Sequence, residues 1–171
     1  GGESTRPGAA EVPEAEELRR VFPVVEAAAR LVGPDGAPAV VSVDTVKPGV
    51  AAPALAAGAA IVNDISACRF DPGLLEVVTG ERPGYVLMHC QGAPRTMQDA
   101  PRYGDVVEDI LAFFEERLGV LTRAGLPEEN VVLDPGIGFG KTLAHYLEIL
   151  RRLPEFLVLG RPLYLGLSNK A

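Results

Sequence analysis

Five short apolar runs, each closing on a polar residue, constrain this chain more than any other feature. They are residues 39–43, 59–62, 85–88, 131–133 and 163–167. All are aliphatic or β-branched, and continuous rather than alternating. Parallel strands covered on both faces read this way. Amphipathic helical patterns fall between them. Leu18, Val21, Phe22, Val25 and Val32 trace one apolar face, and Leu143, Leu147 and Leu150 another. Val107, Ile110, Leu111, Phe114, Leu118 and Leu121 trace a third, with Glu108, Asp109, Glu115, Glu116 and Arg117 turned outward. Asp71 followed by Pro72 is a helix start. The Ala-rich stretch 48–58 predicts a helix that Pro53 should kink or shorten, at a cost of about 3 kcal/mol. Strand and helix in alternation predict an α/β fold with a parallel sheet.

The polar ends carry the functional signal. In order they are Asp44, then Asn63 with Asp64, His89, Asp134, and Ser168 with Lys170 close behind. Parallel strands bring their C-terminal ends to one rim, so these groups converge on one mouth. That rim is the active-site face of a (β/α)8 barrel. A doubly wound sheet also binds ligands beyond its strand ends. Each residue taken singly reads as a turn starter or cap; five together point to a site.

Composition sets the limits. At 171 residues the chain makes one domain, 1–171, with a real core. Its net charge of −7 argues against nucleic acid or an anionic membrane as partner. Gly, Pro or a charge interrupts every apolar stretch before it reaches transmembrane length, and no signal-peptide pattern is present. Cys68 and Cys90 are too few for a disulfide framework. Two buried, reduced thiols suit a cytoplasmic protein. Residues 33–38 (GPDGAP) read as a connector.

Two glycine-rich segments stand out. Residues 1–8 read GGESTRPG, an irregular backbone with hydroxyls, a carboxylate and a guanidinium. Alone it reads as a solvated turn or a tag remnant more readily than as an anion cradle. Residues 134–142 read DPGIGFGKT. A Walker A loop would need glycine where Pro135 stands, so the segment is no P-loop. Its glycines would let the backbone pass close to a flat ligand, with Phe139 exposed beside it. Asp44, Asn63, Asp134 and Lys170 combine acceptors and donors. A carboxylate takes two bonds from a cyclic amidine and its exocyclic amine, an amide gives and takes, and an ammonium donates. The set fits the edge of a guanine-like or pterin-like heterocycle. It fits a divalent metal less well, so no metal ligand is assigned. His89 at a strand end is more often structural than catalytic.

The chain resembles the dihydropteroate synthases of the pterin-binding family. The resemblance rests on GGESTRPG (1–8), SVDT (42–45), VNDI (62–65), LMH (87–89), DPGIGFGK (134–141) and GLSNK (166–170), in order along the whole chain. It implies a (β/α)8 TIM barrel, here a partial one running from the loop after the second strand through the seventh. It implies a transferase of folate biosynthesis, a sulfonamide target. That enzyme condenses 6-hydroxymethyl-7,8-dihydropterin diphosphate with 4-aminobenzoate and releases diphosphate. Asp44, Asn63, Met88, Asp134 and Lys170 match pterin-side positions. Thr5 and Arg6 match a loop that closes over diphosphate and aminobenzoate, and Phe139 and Ser168 match the aminobenzoate side. Lys170, Asp134 and Arg6 would carry the catalytic electrostatics. Mg2+ is expected with the diphosphate, its usual ligands lying outside this chain. The partners are small molecules, and a homodimer is implied for a full-length form.

The chain also departs from the family pattern. Asn169 stands where an Arg is usual, Ala171 where a Ser is usual, and Tyr146 follows His145 in place of an Asn. A barrel of this type needs about 250 residues. The expectation is a fragment, truncated at both ends, with little or no synthase activity by itself. The alternatives are a non-catalytic pterin-binding paralogue and a corrinoid-linked methyltransferase, the latter disfavoured by GGESTRPG.

Overall fold

The computed structural model describes residues 2–6, 8–92 and 101–167. Helix α1 (Glu14–Ala28) leads into β1 (Ser42–Asp44), α2 (Pro48–Ala56), β2 (Ile61–Asp64), α3 (Pro72–Glu81) and β3 (Gly84–Met88). Then follow α4 (Val106–Arg123), β4 (Val131–Asp134) and α5 (Leu143–Arg151), with short 3-10 turns at Glu128–Asn130 and Leu153–Leu159. The four strands are parallel and lie in chain order, β1-β2-β3-β4.

Register decides which strand residues meet the helices. Val43, Val62, Tyr85 and Val131 form one row across the sheet, and Asp64, Leu87 and Leu133 the row two residues on. Their apolar members pack with Val50, Leu74, Val78, Ile110, Phe114 and Ile149 of the helices into the main core. The alternate residues face the other way. On that inner face Ser42 is exposed, and Ile61, Asn63 and Val132 are half-buried. The expected cover on both faces is therefore incomplete: on the inner face it reaches only Val86, Met88 and Asp134 toward the ends of β3 and β4. Among the described residues the sheet is open, and four strands cannot curl far enough to pack their inner faces together.

Caps set the helix starts. Asp71 accepts from the Gly73 amide with Pro72 at the first helical position, as expected. Asp105 accepts from Val107 and Glu108, and Thr142 forms a reciprocal capping box with His145. Helix α2 runs through Pro53 and ends three residues later, at Ala56.

Several expectations need correction. Strand β1 starts at Ser42 because the chain just before it pairs back on itself: Val32 bridges Pro38, Ala39 donates to Leu31, and Val40 is exposed, so that only the Val41 carbonyl reaches toward β2. The run at 163–167 makes only a single bridge, Leu163 with Leu133, since the next donor in register would be Pro135, which has no N–H to give the Tyr164 carbonyl. Val32 lies beyond α1, and Phe22 is exposed. Leu143, Leu147 and Leu150 are all exposed, because α5 packs through Tyr146 and Ile149 instead. Arg117 does not simply face outward; its guanidinium donates to the Ala67 carbonyl.

Asp64, on the helix side, fastens the turn after β2. Its oxygens accept from the Ser66 and Cys68 amides at 2.6 Å and from the Tyr85 hydroxyl at 2.7 Å. Tyr85→Phe should cost about 1.5 kcal/mol, the worth of one hydrogen bond to a buried carboxylate. Urea unfolding at neutral pH would show it, and an unchanged midpoint would mean that the two amides suffice.

Candidate active site

Asp44 pairs with Asn63 across β1 and β2, and Met88 with Asp134 across β3 and β4. All four fall on the inner face at the C-terminal rim. Asp44 and Asn63 sit level with Val86, two residues short of Met88 and Asp134, so the floor is stepped by ~6.6 Å along the strands. Beside the lower step lies a cavity of about 430 Å3 lined by Thr5, Arg6, Asp44, Val46, Ile65 and Phe70, among others. The opening loop and the first strand end thus share one space. Asn63, Met88 and Asp134 do not line that cavity; they continue the rim beyond it.

The loop is held at its base. Glu3 accepts from the Val12 amide at 2.8 Å with one oxygen and from Lys47 Nζ at 2.7 Å with the other. Lys47 Nζ also donates to Glu17, whose side chain is almost wholly buried on α1, and to the Val12 carbonyl, both at 2.7 Å. Burial opposes the charge on Glu3, yet the hydrogen bonds from Lys47 and Val12 hold its carboxyl below the ordinary value.

At the upper step Asp134 is buried, and its Oδ1 accepts from the Gly136 amide at 2.8 Å. Burial pushes its carboxyl up to about 6, against the opposing pull of that amide and of Lys141. Lys141 is buried too, and burial pulls its amine down to about 7. Its Nζ donates to three carbonyls: His89 at 3.2 Å, Gly136 at 3.1 Å and Phe139 at 2.9 Å. A single side chain therefore ties the end of β3 to the loop after β4. A carboxylate that burial leaves hungry for donors faces the mouth and suits a ligand edge bearing paired N–H groups.

The pattern of pterin-binding enzymes matches residues 1–171, the entire chain. This chain belongs to the pterin-binding enzyme family. The dihydropteroate synthase of Escherichia coli (strain K12) is 46% identical over 171 residues, which are 100% of this chain and 58% of that protein. A Yersinia pestis dihydropteroate synthase, solved as a sulfonamide drug complex, superposes with a TM-score of 0.92 at 44% identity, over 98% of this chain and 58% of that one. A Xanthomonas albilineans dihydropteroate synthase solved with 4-aminobenzoic acid gives a TM-score of 0.86 at 46% identity, over 99% of this chain and 58% of that one. The chain therefore spans about 58% of the length of such relatives and forms part of their barrel.

One site expectation needs correction. Phe139 is buried, not exposed; it packs with Ile65, Met88 and Cys90 under the rim. Ile65 and Val46, which pack in this cluster, also line the cavity and connect the two. Gly136 and Gly140 are required by the packing of the chain itself. Gly136 has φ of +69° and Gly140 +62°; a Cβ on the first would run into the His89 carbonyl, and on the second would lie 2.7 Å from the Gln91 carbonyl. His89 fits its structural reading: buried, edge-on to Phe113 at 4.9 Å between ring centres, and held neutral chiefly by burial.

Ser168 and Lys170 lie outside the described residues. The segment leading to them passes the site, since a Cβ on Gly166 would stand 3.9 Å from Asp134 Oδ2. Sequence reasoning missed Lys47, Glu17 and Lys141. A lysine two residues past the SVDT block and one closing DPGIGFGK were available signals, but both are ordinarily solvated residues. No helix among the described residues is long and apolar enough to cross a membrane.

Proposed function

We propose that the full-length form carrying this chain is a dihydropteroate synthase. It joins 4-aminobenzoate to 6-hydroxymethyl-7,8-dihydropterin diphosphate. The bond from the exocyclic methylene carbon to the diphosphate oxygen breaks, and diphosphate leaves with the electron pair. The pterin ring spreads the resulting positive charge; the aryl amine then bonds to the carbon and loses a proton. The observation that carries this reading is the pair of stepped, paired sets Asp44–Asn63 and Met88–Asp134 on one sheet face, the lower beside the loop bearing Thr5 and Arg6.

In this reading Asp134 accepts the paired N–H groups of the pterin, Asp44 and Asn63 complete its polar edge, and Met88 supports the ring. Arg6 opposes the charge of the leaving diphosphate, and Thr5 gives it a hydroxyl. Lys170 and Ser168 belong to the proposal through the family resemblance, as do a homodimer and a cytoplasmic location. Phe139 shapes the aminobenzoate side from beneath. Among the described residues no three His, Cys, Asp or Glu side chains converge so as to hold a metal ion. Mg2+ enters the proposal only through the family resemblance, as the ion expected to accompany the diphosphate.

The test is single-turnover formation of dihydropteroate by a full-length form, with binding of each substrate followed by calorimetry. Pterin binding without turnover would instead support the non-catalytic paralogue that Asn169 and Ala171 suggest. The affinity should also depend on pH. Only the ionised Asp134 accepts two donors, and its carboxyl stands at about 6. Pterin affinity is thus expected to be level above pH 6 and to fall by about tenfold per unit below it. A flat profile through pH 5 would remove Asp134 from the contact.

A further inference from the structure

We infer that Lys47 is a positioning residue that clamps Glu3 and Val12, on either side of Thr5 and Arg6, at the edge of the site and couples them to the strand end bearing Asp44. The inference rests on the function proposed above for the loop, but its geometry stands alone. An ammonium has three N–H donors, and here each finds an acceptor at 2.7 Å: Glu3, Glu17 and the Val12 carbonyl. Glu3 in turn takes the Val12 amide. Both ends of a span nine residues apart are thereby tied at one point, leaving Thr5 and Arg6 on the arc between.

The clamp is mounted on the site itself. Lys47 follows Asp44 by three residues, and its amide donates to Thr45 Oγ1. Buried Thr45 donates its own amide to the Asn63 carbonyl. A second tie runs beside the first, where a Glu14 oxygen accepts from the Gly49 amide at 2.9 Å. Any displacement of the loop base therefore strains the turn that carries Asp44. Glu17 serves a different end, since its carboxylate anchors Lys47 to α1. The two carboxylates thus divide the work: Glu17 fixes the lysine, and Glu3 fixes the loop to the lysine.

Glu3→Gln tests this, because it keeps the Lys47–Glu17 pair but puts one amide N–H toward a donor. Hydrogen exchange of the Ala9 and Val12 amides in a full-length form is the reporter, independent of any activity. Exchange at Val12 should quicken by about tenfold, as loss of one charge-assisted bond implies. Exchange in α2 should stay as it was. The KM for aminobenzoate should rise more than kcat falls, and Lys47→Arg should retain part of the protection that Lys47→Met loses. If Lys47→Met does not fold, Glu3→Gln decides alone. Unchanged Val12 exchange in Glu3→Gln, or an unprotected Val12 amide in the parent protein, overturns the clamp. Quickened exchange in a protein that makes no dihydropteroate would sustain the clamp and refute the function.

Discussion

Lys141→Met is expected to cost the fold about 3 kcal/mol at pH 7. Methionine matches the length and apolar body of the side chain, so packing changes little. What it removes is the donor for the carbonyls of His89, Gly136 and Phe139. Gly136 keeps a second donor in the Phe139 amide, so the loss comes mainly from the other two acceptors. Each stranded acceptor costs about 1–3 kcal/mol. Against this stands relief from burying an amine, which pH can isolate. Burial lowers Lys141 from 10.5 to about 7. Between those values the unfolded chain holds a proton that the folded chain has released, so stability rises with pH across that window. The methionine variant lacks this rise, and its deficit should widen from pH 7 to about pH 9. Urea midpoints at the two values read the effect. A deficit that narrows with pH would show that the carbonyls do not depend on the amine.

Asp134→Asn should leave stability unchanged or raise it, while weakening pterin binding by about 10- to 150-fold. The amide oxygen can still accept from the Gly136 amide, and a neutral group relieves the burial that now pushes the carboxyl up to about 6. The ligand loses more. A carboxylate taking two charge-assisted bonds becomes an amide with one acceptor and one donor, worth about 1.5–3 kcal/mol less to a ligand edge that only donates. Calorimetric titration with pterin diphosphate, beside thermal unfolding of the same sample, separates the two effects. Retained affinity would take Asp134 out of the recognition edge. A collapse of stability would mean that the Gly136 contact needs the charge.

The rim was legible in the sequence because a polar residue that closes a continuous apolar run marks the end of a strand, and parallel strands gather those ends on one side. Asp44, Asn63 and Asp134 could each be placed there from order alone; on β3 order pointed to His89, and Met88 entered only through the family resemblance. An amide that both gives and takes favours Asn63 over Asp64 for the site, though order alone does not separate two adjacent polar residues. Only pairing with β1 and β3 sends the first to the mouth and the second to the Tyr85 hydroxyl. Phe139 looked exposed because its glycine neighbours imply an open loop. In fact their left-handed backbone folds the loop down onto the end of β3. The leucine stripe of α5 misled for a related reason. A period of three to four names an apolar face without saying what meets it, and Tyr146 and Ile149 found the core first. Glu17 was hidden altogether, since a glutamate on an acidic helix start reads as solvated until Lys47 reaches it from the residue before α2.

The alternation of the two strand faces bears on how such a protein can change over time. On β2 a core residue and a rim residue are neighbours in the chain, Val62 beside Asn63, and the same holds for Leu87 and Met88 on β3 and Leu133 and Asp134 on β4. A single-residue insertion or deletion within a strand would exchange the two sides at once, sending a rim group into the helix layer and an aliphatic one into the mouth. Length changes are therefore closed to the strands and open to connectors such as 33–38. Ligand preference in this scaffold can drift by replacement at fixed positions, and by remodelling of the loops above them, but not by sliding a strand.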